Sequence, residues 1–69
     1  MISDSVKIEE MLQQLVLIVA KTLKKSSVES VGIVANSRVG IELKDCMIKE
    51  GSTIDQLSSR LISEVRQGL

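Results

Sequence analysis

The sequence contains no phenylalanine, tyrosine or tryptophan, no histidine, and a single cysteine, Cys46. Each absence removes a class of function. Aromatic rings are the platforms on which unpaired bases stack, so single-strand readers of the RRM or OB type are disfavoured. Without histidine the chain lacks the commonest general base, and nothing of that kind can activate the Cys46 thiol as a nucleophile. One thiol and no imidazole cannot build a structural zinc site. The four glycines, Gly32, Gly40, Gly51 and Gly68, are scattered and match neither phosphate-loop fingerprint. The expectation is therefore a protein that is not an enzyme and holds neither metal nor cofactor.

Long apolar runs are also missing. The longest, Leu15 to Ala20, is six residues, far below the roughly 20 that span a bilayer. Asp4, Glu9 and Glu10 precede it where an export signal would be basic. No membrane attachment is expected, and the lone thiol fits a reducing, cytoplasmic compartment.

These absences leave a stability problem. A chain of 69 residues hides only about 60% of its unfolded surface. Small domains make up the deficit with disulfides, metals or partner subunits. One cysteine and no histidine leave the partner subunit, so a homo-oligomer is expected.

Nine basic and nine acidic residues cancel, with a slight unevenness along the chain. Residues 1–20 carry one lysine against three acids, and residues 21–49 carry six basic residues against three acids. Lys21, Lys24, Lys25, Arg38, Lys44 and Lys49 make up that basic middle segment. A duplex-binding domain normally has a much stronger field. A small nucleic-acid-binding regulator using these six as phosphate contacts is accordingly the alternative reading. The reading favoured over it takes the lysines at 21, 24 and 25 as cations complementing the end of a helix, and the other three as solvated strand or turn positions.

The first element is predicted as a helix over about residues 5–25. Ser3, Asp4 and Ser5 offer N-cap side chains, and Ile8, Leu12, Leu15, Val19 and Leu23 keep the three-to-four spacing of a buried stripe. Met11 and Ile18 widen that stripe. The run Leu15, Val16, Leu17, Ile18, Val19 and Ala20 is apolar around the whole circumference, which points to a helix covered from two sides. β-Branched valine and isoleucine leave a strand as the alternative for this run.

Beyond Lys24 to Ser30, read as loop with Ser26 and Ser27 after the last turn, the apolar period changes to two. Val31, Ile33 and Ala35, then Val39, Ile41 and Leu43, predict a β-hairpin with strands at about 31–35 and 39–47 around Asn36-Ser37-Arg38. Thr53 with Gln56 matches a capping box opening a last helix over about 53–67. Ile54, Leu57, Leu61, Val65 and Leu69, joined by Ile62, form its stripe.

The expected fold is thus α+β, a single small helix–hairpin–helix (αββα) domain over residues 1–69 completed by oligomerisation. Its function is expected to be that of an interaction or assembly protein. It would self-associate through Leu15, Val16, Leu17, Ile18, Val19 and Ala20 and through the open hairpin edges. The order of elements is similar to that of the small head-completion proteins of tailed phages. That resemblance, of topology alone, implies a structural role of bacterial or phage type.

Overall fold

The computed structural model describes residues 2–68. Its regular elements are α1 (Ser5–Leu23), α2 (Ser27–Asn36), α3 (Arg38–Lys44) and α4 (Ile54–Arg66). The predicted hairpin is corrected: among the described residues there is no strand, and the fold is all-α rather than α+β. Both segments read as strands lie mainly in α2 and α3. With the hairpin go its open edges and the likeness to helix–hairpin–helix head-completion proteins.

The first helix forms much as its pattern requires. Asp4 caps it by accepting from the Val6 N–H at 3.0 Å, and Ile8, Met11, Leu15 and Val19 form its buried side. It stops two residues earlier than expected. Lys24 takes a left-handed conformation (φ 54°), and the Lys25 N–H turns back to the Ala20 carbonyl at 3.1 Å. This is the six-to-one closure usually assigned to glycine.

The second helix begins at a signal that alternation concealed. Ser26 Oγ accepts from the Glu29 N–H at 3.2 Å and donates to the Glu29 carboxylate at 3.4 Å. Ser-x-x-Glu is a helix-start pattern. Ser30, fully buried, donates its hydroxyl to the Ser26 carbonyl at 2.8 Å. That bond makes a polar residue admissible on the inward face one turn before Val34.

Asn36-Ser37-Arg38 does break the chain, but between two helices. The buried Ser37 hydroxyl donates to the Val34 carbonyl at 2.7 Å and accepts from the Gly40 N–H at 2.9 Å. One side chain thereby closes α2 and opens α3. From α4, Glu64 accepts from the Arg38 and Val39 N–H groups at 3.0 and 3.3 Å, supplying the remaining first-turn acceptors of α3. The third helix ends as α1 does, with Cys46 left-handed (φ 58°) and the Met47 N–H returning to the Glu42 carbonyl at 2.8 Å.

The predicted capping box of the last helix is present. The Gln56 N–H donates to Thr53 Oγ1 and the Thr53 N–H to Gln56 Oε1, both at 3.2 Å. Leu57 and Leu61 are its buried residues, with Ile54, Ile62 and Val65 half-buried; Leu69 lies outside the described residues. Thr53→Ala should cost about 1 kcal/mol, the usual value of an N-cap side chain. Urea unfolding followed by helical circular dichroism checks this; an unchanged midpoint would show that packing alone sets the start of α4.

The core gathers Leu15 and Val19 of α1, Val34 of α2, Val39 and Leu43 of α3, and Leu57 and Leu61 of α4. Ile2 and Ile48 join it, and the Ile2 N–H donates to the Ile48 carbonyl at 2.9 Å. The segment before α1 is thus tied to the α3–α4 connection. At 1.5 Å per residue α1 is about 28 Å long, close to the longest extent of the molecule, 30 Å.

Candidate functional site

Six successive residues advance 100° each around a helix, so the band from Leu15 to Ala20 faces every direction. The fold divides it. Leu15 and Val19 are 0% and 1% exposed and belong to the core, so neither is available to another chain. Val16, Ile18 and Ala20 are half-buried, whereas Leu17 is 66% exposed. The outward part of the predicted interface is therefore Leu17 with its three half-buried neighbours.

Leu17 stands beside an open groove of about 460 Å³ between α1 and α2. Leu12 and Val16 form the α1 wall, and Val31, Val34 and Ala35 the α2 wall; Glu9, Gln13 and Lys44 add polar groups. Val31 is itself 53% exposed, and Val28, one turn earlier, is 83% exposed. Apolar side chains from two helices thus share one surface around Leu17. Val31 and Ala35 escaped the sequence reading because as strand residues they belonged to a hairpin's inner face. A helical reading of residues 27–36 would have put Val28, Val31 and Ala35 on one side.

The six basic residues do not form one patch. All are exposed, but they are spread over the molecule. Lys24 and Lys25 follow the end of α1, whereas Lys49 follows Ile48, which is bonded to Ile2 near its start. The two ends are about 28 Å apart along the helix. Lys25 pairs with Glu29 at 4.0 Å, and Lys44 shares the groove with Glu9. Arg38 lies at the start of α3, where Glu64 caps the backbone.

Two other places hold polar chemistry. Cys46 is half-buried against the core at the end of α3. A groove of about 530 Å³ between α1 and α4 is lined by Thr22, Ser58, Ser59, Ser63, Arg66 and Gln67, with Ile18 and Ile62. Ser58 Oγ is already donated to the Asp55 carbonyl at 3.0 Å, and Gln67 Nε2 to Ser63 Oγ at 3.4 Å. Neither a carboxylate nor a thiol lines that groove, so its hydroxyls have no base beside them.

Among the described residues, no helix is long and apolar enough to cross a membrane. Comparison with known protein families, curated proteins and solved structures finds no match for this chain.

Proposed function

We propose that this chain is a small, non-enzymatic assembly module of the cytoplasm that self-associates through the outer face of α1 and the adjoining α1–α2 groove. The observation that carries the reading is Leu17. A leucine 66% exposed at the rim of an apolar groove leaves surface in water that a second subunit would remove. Burying such a side chain is worth about 1.5–3 kcal/mol, and a two-fold contact counts it twice. The formal net charge of zero puts no overall repulsion between copies. The want of histidine and of a second cysteine supports the non-enzymatic half of the reading.

Solution mass from light scattering with refractive-index detection is the test, since the chain lacks aromatic absorbance. The parent is expected as a dimer or larger. Leu17→Lys should run as a monomer with its helical circular dichroism unchanged, because the position makes no part of the buried core. A parent that is monomeric at high concentration would remove the proposal.

A further inference from the structure

The break between α2 and α3 is one residue wide and rests on one torsion. Ser37 closes α2 and opens α3; its φ of −76° is already helical, whereas its ψ of 154° is extended. Turning that ψ to about −42° would run the two helices into one over residues 27–44. The chain has no proline to forbid it.

The same backbone groups are satisfied either way. In the bent form the Arg38 and Val39 N–H groups donate to Glu64 at 3.0 and 3.3 Å, and the Gly40 N–H to Ser37 Oγ at 2.9 Å. In a continuous helix these three would pass to the Val34, Ala35 and Asn36 carbonyls, four residues back. The Ile41 N–H already donates to the Ser37 carbonyl at 3.0 Å and would keep that bond. Gly40 tells the two forms apart. Bent, a Cβ there would lie 1.9 Å from the Val34 carbonyl oxygen. Straight, that carbonyl turns to the Arg38 N–H, and a Cβ at position 40 stands on the helix surface.

A straightened chain cannot keep α3 and α4 on its own α1. Leu43, Leu57 and Leu61 would leave Leu15 and Val19, so the core survives only where a second copy supplies the missing half. We propose that Ser37 is the hinge of a helix exchange: two chains straighten over residues 27–44, and α3–α4 of each packs on α1–α2 of the other. The core contacts are then remade between copies, and the two states differ chiefly at the junction. The exchange uses neither Leu17 nor the α1–α2 groove, so it is a route to association separate from the surface contact proposed above.

Cross-linking reads the exchange directly. Thr22 of α1 and Ser63 of α4 are exposed and line one groove. Thr22→Cys with Ser63→Cys, in a Cys46→Ser background, can therefore be joined by a bis-maleimide. In the bent form both thiols belong to one chain, and a denaturing gel shows monomer mass. In the exchanged dimer they belong to two chains, and it shows dimer mass. Gly40→Ala is expected to be destabilised when dilute and to move to linked dimer as concentration rises. Its dimer share should stand at least about tenfold above that of Gly32→Ala, the matched control. Ser37→Ala removes the hydroxyl that caps the bent form and should move the same way, less far; it decides the matter where Gly40→Ala does not fold. No linked dimer from either variant would overturn the proposal, as would an equal dimer share from Gly32→Ala.

Discussion

Gly40→Ala is expected to cost about 3 kcal/mol or more and to leave a large part of the chain unfolded. A Cβ at this position would lie 1.9 Å from the Val34 carbonyl oxygen, 2.9 Å from its carbon and 3.1 Å from Ser37 Oγ. None of these atoms is the free end of a flexible side chain. The Val34 oxygen is held by the Ser37 hydroxyl at 2.7 Å and the Ser37 N–H at 3.2 Å. Ser37 Oγ is held in turn by the Gly40 N–H at 2.9 Å. Making room means separating α2 from α3 at the point where one serine joins them. The loss is large against a total stability of about 3–10 kcal/mol for a chain this size. Gly32→Ala is the matched control. Nothing lies within 4 Å of a Cβ there, so alanine in the middle of α2 should be neutral or stabilise by about 0.5–1 kcal/mol. The urea midpoints of both variants give the comparison; a Gly40→Ala midpoint equal to that of the parent would mean the junction yields easily.

That junction also shows where the sequence stopped being legible. The first and last helices run for 19 and 13 residues, long enough for a 3.6-residue period to separate from a period of two. The second and third run for ten and seven and are apolar at many positions. Val31, Ile33, Ala35, Val39, Ile41 and Leu43 satisfy strand alternation, while Ser30 with Val34 and Val39 with Leu43 satisfy the helical turn. The inward residues decide, and two of them, Ser30 and Ser37, are polar. Their burial depends on hydrogen bonds to the Ser26 and Val34 carbonyls, which no hydropathy pattern contains. The helix ends were hidden for a related reason. Glycine is the usual mark of a left-handed closure, and here Lys24 and Cys46 occupy those positions. Around the two middle helices, Ser26-x-x-Glu29 was a start signal readable in advance.

The surface was legible to the extent that α1 was. An all-round apolar band announced that some of it would face outward, and helix geometry alone separates Leu17 from Leu15 once the core side is known. The other half of the groove depended on α2 and was lost with it. The basic residues failed to converge because closeness in sequence places Lys21, Lys24 and Lys25 together but says nothing of Lys49, which the Ile2–Ile48 bond carries to the opposite end of α1.

Leu15→Ala and Leu17→Ala, two positions apart on one helix, should fail in different ways. Leu15 is 0% exposed, within a core shared by all four helices. Its truncation removes buried methyl groups and leaves a cavity, at an expected cost of about 2–5 kcal/mol. Leu17 contributes nothing to that core, so its truncation should change the folding of an isolated subunit by no more than about 0.5 kcal/mol. Concentration separates the two effects. If folded subunits associate and unfolded ones do not, mass action raises the unfolding midpoint of the parent with protein concentration. Leu15→Ala should lower the midpoint at every concentration at which it remains folded and keep that dependence. Leu17→Ala should flatten the dependence and meet the parent curve at high dilution. Equal losses in both variants at high dilution would place Leu17 inside the folding unit and contradict an outer face that is free in the isolated chain.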